Sequence, residues 1–415
     1  MPSATKLIDL GVQIPYHFRC PISLDLMQDP VTVCTGQTYD RYGIDSWFAT
    51  GNTTCPVTGS PISDLTLIPN HTLRRLIQEW CVANRSFGVR RIPTPKQPVE
   101  PHTVRSLLTQ VSNGLNSFAS RLSAIRRLKG LARESDKNRT VISALSAREI
   151  LLSIVFDNIG GFDESSELIH DSMAILATYL PLSELDCGYV AADPDRIAFL
   201  ISLLFHSNFE VRVNSAAMIE AVVAGTGSSE VRAEICKADE IYRGVIGILN
   251  SPEAHPRAVK IGIKTVFALC LVKQHRLKAV AAGAAEAIIG RLPDLEKCDA
   301  ERALATVELL CRLPTGCSAF ANQDLTVPIL VKIILKISDR ATEYAAGALL
   351  SLCSASETCR REAVVAGVWT QLLLLVQSDR TERAKRKAQM LLKLVRDVLP
   401  AINSDKLGYS DIVLY

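Results

Sequence analysis

Two patterns of apolar residues divide the chain and predict two kinds of structure. Residues 18–80 alternate short apolar runs with turn residues, and a helix predicted from Arg41 carries Ile44 and Trp47 on one face. From residue 103 to residue 400, apolar residues recur at helical spacing in pieces of roughly 10–15 residues that Gly, Pro, Ser, Asn or Asp interrupt. The pattern therefore predicts a mainly α fold: a small α/β unit followed by an all-helical region.

Within the first stretch, the pattern predicts a ββαβ-like order with extended pieces at residues 18–21 and 30–35. Asp40 is placed to cap the helix that starts at Arg41, and Asn70 is placed to cap a final helix. That final helix is predicted to bury one stripe of side chains against the unit. The stripe consists of Leu73, Leu76, Ile77, Trp80 and Cys81.

The helical region repeats itself along the chain. Paired positions recur at separations of 41, 42 and 42 residues, at Leu269-Cys270, Leu310-Cys311, Leu352-Cys353 and Leu394-Val395. A helical period near 42 is typical of ARM or HEAT solenoids, in which one repeat cannot bury its own apolar face and neighbouring repeats must stack. We therefore expect an ARM-type superhelix of roughly six or seven repeats.

A set of motifs in residues 18–80 occurs in a fixed order and at close spacing. The motifs are Cys20-Pro21-Ile22-Ser23, Asp29-Pro30-Val31, Thr38-Tyr39-Asp40-Arg41, Cys55-Pro56-Val57-Thr58 and Pro69-Asn70. In this order they resemble the U-box, the metal-free relative of the RING finger found in ubiquitin ligases. With its helical remainder, the whole chain resembles plant U-box proteins with ARM repeats.

This resemblance implies a RING-type (U-box) E3 ubiquitin transferase. The U-box would dock a ubiquitin-conjugating enzyme (E2) charged with ubiquitin and promote aminolysis of the thioester by a substrate lysine. The ARM repeats would bind the protein substrate, and two U-boxes could pair as a dimer. Resemblance also implies a role in plant stress and defence signalling.

The expected domains follow from these patterns and from proline content. Prolines between residues 93 and 101 block helix formation and favour a semi-rigid spacer. The expected order is a flexible leader at 1–14, the U-box at 15–89, a Pro-rich linker at 90–102, the ARM solenoid at 103–400 and a loose tail at 401–415.

Cysteine and histidine spacing in the U-box region does not favour zinc. A RING needs about eight Cys/His ligands in paired spacing, whereas the four cysteines of residues 15–89 form no Cys-x-x-Cys pair. We expect no metal and no cofactor, and charge-assisted hydrogen bonds would hold the two loops instead. The expected scaffold residues are Asp40, Arg41 and Asn70. A zinc RING stays open as an alternative that metal analysis of the purified protein would test.

The family resemblance also implies a shallow apolar groove for the conjugating enzyme. Its expected residues are Ile22, Leu24, Trp47, Pro56 and Val57. Aliphatic and proline anchors around an aromatic centre suit a compact binding hot spot. The competing interpretation is that side chains such as Leu24 and Trp47 belong to the core of the small domain.

The same stretch offers no evident nucleophile. Cys20 and Cys55 each precede a proline without a base nearby in the sequence, so we expect no covalent catalytic residue and a contribution from orientation and proximity alone. Gly59 stands where many U-box ligases carry a basic residue that contacts both enzyme and ubiquitin. Because glycine makes neither contact through a side chain, a non-catalytic ARM-repeat adaptor with a structural U-box is the alternative function.

Composition limits the partners and the compartment. The 415 residues carry a formal charge of +3, which is no strong nucleic-acid or anionic-membrane signal. No apolar run approaches the roughly 20 residues of a membrane-spanning helix, and residues 1–14 lack the pattern of a signal peptide. We expect a cytoplasmic protein, with the nucleus also open to it, that neither binds nucleic acid nor spans a membrane.

Overall fold

The computed structural model describes residues 13–85, 89, 99–157 and 166–396. The chain divides into two compact units, residues 1–97 and 98–415. The division falls inside the predicted linker, residues 90–102. The predicted tail, 401–415, and most of the predicted leader and linker lie outside the described residues.

The first unit combines a small sheet with two helices. Its elements are β1 (Pro30–Thr32), β2 (Thr38–Asp40), α1 (Arg41–Ala49), β3 (Ile68–Pro69) and α2 (His71–Ala83). The sheet is antiparallel in the order β2-β1-β3, so that Val31 pairs with Tyr39 on one side and with Pro69 on the other. Strands of two or three residues cannot stabilise a domain by themselves, so the connecting loops need other support.

Two local predictions for this unit were wrong. Residues 18–21 do not form an extended piece: a short 3-10 helix, Tyr16–Phe18, precedes a single bridge between Arg19 and Leu26. On α2, Leu76 is 44% exposed, whereas Arg74 is only 9% exposed. The buried side of α2 is therefore rotated from the predicted stripe toward Arg74, because a charged partner on another segment holds that side chain.

Within the described residues, helices are the only regular secondary structure of the second unit. Its first helices are α3 (Pro101–Ser112), α4 (Phe118–Glu134), α5 (Asp136–Ser143), α6 (Ala147–Phe156) and α7 (Ser166–Leu176). They are followed by α8 (Glu184–Ala191), α9 (Pro194–Leu203), α10 (Phe209–Gly225), α11 (Ser229–Ile235), α12 (Asp239–Leu249) and α13 (Pro256–Leu271). The last are α14 (Arg276–Ala281), α15 (Ala284–Arg291), α16 (Lys297–Cys311), α17 (Pro314–Ala321), α18 (Thr326–Ile333), α19 (Asp339–Ala355), α20 (Glu357–Val365), α21 (Val368–Gln377) and α22 (Glu382–Arg396).

These helices follow the predicted repeat. From α5 onward, the described helices form three-helix groups whose last members, α7, α10, α13, α16, α19 and α22, contact one another in succession. One apolar cluster extends from Val104 to Val395 through these contacts. Close approach needs small residues: a Cβ on Gly262 of α13 would lie 2.6 Å from a methyl carbon of Leu249. The predicted ARM-type stacking is therefore confirmed.

No helix among the described residues is both long enough and apolar enough to cross a membrane.

Candidate functional site

Strand β2 is the element that positions both loops of the first unit. We define the first loop as residues 19–29 and the second loop as residues 52–62. Adjacent residues of a strand point to opposite faces. Tyr39 is consequently buried toward the second loop, while Asp40 turns toward the first loop.

Asp40 holds the backbone of the first loop. Its Oδ1 accepts hydrogen bonds from the N–H groups of Gln28 at 2.9 Å and Asp29 at 2.7 Å. Asp40 occupies the N-cap position of α1, but its side chain makes no capping hydrogen bond there. The predicted capping role of this side chain was therefore wrong, because its carboxylate is engaged by backbone donors from the loop.

Asp29 links the first loop to both helices of the unit. Its Oδ2 accepts a hydrogen bond from Arg41 Nε of α1 at 2.7 Å, and its Oδ1 pairs with the guanidinium of Arg74 on α2. All three side chains are largely buried, so these contacts are stronger than surface ion pairs. The pairing explains why an arginine occupies the buried side of α2.

The second loop is held by the hydroxyl of Tyr39. The Tyr39 oxygen lies 2.9 Å from Cys55 Sγ and accepts the Val57 N–H at 3.2 Å, while Thr35 donates to Cys55 Sγ at 3.4 Å. Burial by itself raises the pKa of the Cys55 thiol, but hydrogen bonds from Thr35, Thr58 and Tyr39 together lower it to about 6. Burial and the Cys55 contact raise the pKa of Tyr39 well above its usual value. The cluster therefore favours a thiolate that accepts from a protonated tyrosine.

Asn70 ties the sheet to the last helix of the unit. Its Oδ1 accepts the Leu73 N–H at 3.0 Å, which confirms the predicted cap of α2. Its Nδ2 donates to Thr38 Oγ1 at 3.4 Å, on β2. Asn70 thus fixes α2 relative to the strand that holds both loops.

Helix α1 lies against both loops through one face. A Cβ on Gly43 would lie 3.6 Å from Ile22 Cβ in the first loop. Trp47 is one helical turn further, about 6 Å along the axis, and its Nε1 donates to the Thr54 carbonyl of the second loop at 2.8 Å. Thr54 lies two residues before Pro56. Successive turns of α1 therefore face Ile22 of the first loop and Thr54 of the second loop.

The exposure of the predicted docking residues bears on whether they belong to the core. Leu24 is 68% exposed and Val57 is 52% exposed, so both lie on the surface. Ile22, Trp47 and Pro56 are half-buried, and Ile22 and Trp47 pack against the core of the unit. None of the five is sealed inside. Leu24 also has a positive φ of 60°, an uncommon conformation for leucine that presents its side chain from a tight turn.

Gly59 lies at the exposed end of the second loop. Its φ is +68°, and a Cβ built there would meet nothing within 4 Å. A longer side chain at this position would therefore extend into open space, from a backbone conformation that L side chains rarely adopt.

Histidine, cysteine and carboxylate side chains are the candidates for metal binding or nucleophilic chemistry. In the part of the chain that the structure describes, no three His, Cys, Asp or Glu side chains converge as a metal site. Cys20 and Cys55 are both buried, and Cys20 Sγ accepts the Asp40 N–H at 3.3 Å. Both side chains therefore take part in the contacts that hold the two loops.

Sequence reasoning missed two residues of this scaffold, Tyr39 and Arg74. Tyr39 lies next to Asp40 in a short strand, and period-two alternation could have directed it toward the second loop. Arg74 precedes Ile77 by three residues, which puts it on the buried side of α2. Its partner Asp29 is 45 residues away, and no local pattern predicts that pairing.

Comparison with known proteins agrees with these two units. A U-box domain model matches residues 14–86, and a model of the plant U-box protein ARM repeat region matches residues 103–411. U-box domain-containing protein 26 of Arabidopsis thaliana is 60% identical, with 99% of each chain covered. E3 ubiquitin-protein ligase PUB23 of Arabidopsis thaliana is 31% identical, with 94% of each chain covered.

Solved structures support the helical fold alone. An engineered protein aligns with a TM-score of 0.51 at 17% identity, covering 77% of this chain and 71% of its own. A structure from a study of cadherin and beta-catenin aligns with a TM-score of 0.56 at 14% identity, covering 80% and 59%. The matched family models and the curated relatives together show that this chain belongs to the plant U-box proteins with ARM repeats, a family that includes E3 ubiquitin ligases.

Proposed function

We propose that this chain is an E3 ubiquitin-protein ligase whose two loops dock a conjugating enzyme charged with ubiquitin. The observation that supports the proposal is the set of partly exposed apolar side chains at Ile22, Leu24, Trp47, Pro56 and Val57, on loops that polar contacts hold in place. Pre-organised loops lose little conformational entropy on binding. The ligase would accelerate aminolysis by orienting the thioester, without a covalent intermediate on its own residues.

The ARM unit would present the substrate in this proposal. Stacked repeats offer an extended surface with side chains at regular spacing. Several charged groups on the helices are already paired within the unit, such as Arg257 with Glu210 and Lys264 with Glu220. A substrate would therefore be read by those side chains that lack such partners. Family resemblance extends the proposal to stress and defence signalling, for which the responses of plants lacking the protein are the test.

The experiment is discharge of ubiquitin from a charged conjugating enzyme to free lysine. Ile22→Ala, Trp47→Ala and Pro56→Ala should each weaken E2 binding by about fivefold or more, the scale expected for a residue of a binding hot spot. Discharge should slow accordingly when the ligase is not saturating. Leu24→Ala has a matched control in Leu65→Ala, an exposed leucine of the same unit outside both loops. If the docking variants and the Leu65 variant discharge ubiquitin equally well, the docking assignment is wrong.

Gly59 favours a second candidate, a non-catalytic ARM-repeat adaptor. A ligase with no side chain at this position lacks a donor that could restrain ubiquitin against the enzyme. Gly59→Arg should accelerate discharge if the loops dock the enzyme productively. Gly36→Arg is the control, because Gly36 also has a positive φ and open space around it. Binding of the charged enzyme without any discharge, in both wild type and Gly59→Arg, would favour the adaptor.

A further inference from the structure

The last described repeat carries a net positive charge, whereas the rest of the chain has a small net negative charge. Residues 357–396 contain nine Lys or Arg and four Asp or Glu, a net charge of +5, whereas the whole chain carries +3. The remaining residues therefore sum to −2. The near-neutral total conceals one strongly basic repeat, formed by α20, α21 and α22.

Comparison of equivalent positions in successive third helices shows how α22 differs. Three positions, at the repeat spacing of 41 or 42 residues, are buried in α13, α16 and α19, and eight of these nine residues are Ala, Gly or Thr. In α13 to α19 they are Ala258, Gly262 and Thr265, then Asp299, Ala303 and Thr306, then Ala341, Ala345 and Ala348. In α22 they are Arg383, Lys387 and Met390. Of these three positions in α22, Arg383 and Met390 are exposed, whereas the corresponding residues of the earlier repeats are buried.

The exposed side of α22 carries cations that are unpaired or only weakly paired with acidic groups. We call the stripe formed by Arg383, Arg386, Met390 and Lys393 the α22 face; its spacing of three, four and three residues aligns the side chains along the helix. Among the described residues, Arg386 and Lys393 have no acidic partner. Arg383 is 83% exposed, and its ion pair with Glu343 is long, at 3.8 Å between Nε and Oε1. These three charges are therefore available to an external partner.

Lys387, on the same helix, is a cation that is fully paired with carboxylates of its own unit. Its Nζ lies 2.9 Å from Glu308 Oε1 and 3.6 Å from Glu343 Oε1, and it is largely buried. Neighbouring charges of one helix thus divide into an internal structural set and an outward set.

Exposed aliphatic side chains occur in the same repeat as these cations. Met390 is exposed within the α22 face, Leu373 and Leu374 are exposed on α21, and Val365 is exposed on α20. Helix α21 packs directly against α22. Exposed cations with an exposed methionine among them, and further exposed aliphatic residues on the other helices of the repeat, suit a surface that rests on an anionic membrane.

We propose that the last repeat binds the surface of an anionic bilayer through the α22 face. The aliphatic residues favour a lipid interface over a single-stranded nucleic acid, which would require exposed aromatic residues for stacking. An acidic protein segment would gain only weak surface ion pairs with these exposed charges, whereas a bilayer offers many headgroups at once. The repeat lies on the surface and does not span it.

The test is co-sedimentation of the full-length protein with vesicles of phosphatidylcholine alone or mixed with phosphatidylserine. We expect binding to the mixed vesicles that weakens at high salt. The triple variant R383Q/R386Q/K393Q should partition about a hundredfold less, because each basic residue near an anionic surface contributes a factor of about five. The matched control, R105Q/R127Q/K332Q, removes the same charge from exposed positions elsewhere in the unit and should bind like wild type.

Further outcomes decide between the lipid surface and other partners. Equal loss in both triple variants, or equal binding to vesicles without phosphatidylserine, would overturn the proposal. So would binding to polyuridylic acid or polyglutamate that depends on the α22 face while vesicle binding does not. Met390→Gln should reduce vesicle binding by less than the charge variant. Circular dichroism and unchanged ubiquitin discharge would show that the variants are folded and that the effect is separate from the U-box.

Discussion

The two units of this protein are stabilised by different kinds of contact. Twelve side chains form the buried apolar core of the described U-box residues, too few to fix two long loops as well as the sheet. The loops instead depend on polar clamps from Asp29, Tyr39 and Asp40. In the ARM unit, one apolar cluster continues through all the described repeats. A surface made of loops therefore depends on specific polar residues, whereas a surface made of stacked helices depends on apolar side chains of matching shape and volume.

In the ARM unit, polar contacts contribute less to stability than the packing of apolar side chains. Lys387 of α22 reaches Glu308 of α16, two repeats away, across α19. The Lys387 side chain passes beside Gly347 of α19, where a Cβ would clash with both Lys387 and Glu308. This ion pair lies on helices that already pack closely, so it adjusts the stacking rather than creating it. The predictions that follow test this contrast, starting with the largest effect.

Removing a core aromatic side chain from the ARM unit should have the largest effect. Phe320→Ala empties a fully buried site and should reduce the free energy of unfolding by about 4 kcal/mol. Chemical denaturation measures it, with Phe205→Ala as the control, since Phe205 is exposed in the same unit. Ubiquitin discharge to free lysine should survive, because repeats interact mainly with their neighbours. Similar losses in the two variants would contradict the role given to packing.

Breaking the link between the first loop and the helices should destabilise the U-box. Asp29→Ala leaves Arg41 and Arg74 without their carboxylate, at a cost of about 3 kcal/mol. Calorimetry of the full chain should show a lower U-box transition with the ARM transition unchanged. Asp45→Ala is the control, because Asp45 is exposed on α1. An unchanged U-box transition in Asp29→Ala would mean that the apolar core alone holds the loop.

Removing the hydroxyl from the clamp of the second loop should have a smaller effect. Tyr39→Phe keeps the buried ring but leaves the Val57 N–H without its acceptor, which costs about 1–2 kcal/mol. Because Val57 neighbours Pro56, ubiquitin discharge should fall together with stability. Tyr42→Phe serves as the comparison, since the Tyr42 ring is exposed. Equal discharge by both variants would mean that the Tyr39 hydroxyl is not required for docking of the conjugating enzyme.

The last expected effect, small near pH 6 and growing as the pH rises, is a pH dependence of U-box stability. The pKa of Cys55 falls from 9.0 to about 6 in the folded chain, so folding favours its thiolate. Its contribution to stability is complete above pH 9 and is lost as the pH falls through 6. The melting temperatures of wild type and Cys55→Ala should therefore diverge as the pH rises from 6 to 9. Cys34→Ala, which removes an exposed thiol, should show no such divergence.

The features that could be predicted from the chain alone are periodic or local. A repeat of 41–42 residues predicts stacked helices because each repeat must cover the apolar face of its neighbour. Asn70 predicts a helix start because its side chain reaches a backbone donor three residues away. The loop residues Leu24 and Val57 could be expected at the surface because loops run over it. Each of these features depends on residues that lie a few positions or one repeat away in the sequence.

The remaining features depend on contacts between distant segments. Asp40 was expected to cap α1, yet its carboxylate binds the loop backbone at Gln28 and Asp29, which folding brings beside it. Arg74 is buried because Asp29 meets it across 45 residues, while Leu76 two positions further is exposed to solvent. A net charge of +3 likewise conceals the basic α22 face, since a sum over the sequence carries no positions. Periodicity encodes which face of a helix is apolar, but the choice of a polar side chain among competing partners is made only when the folded chain brings those partners within hydrogen-bonding distance.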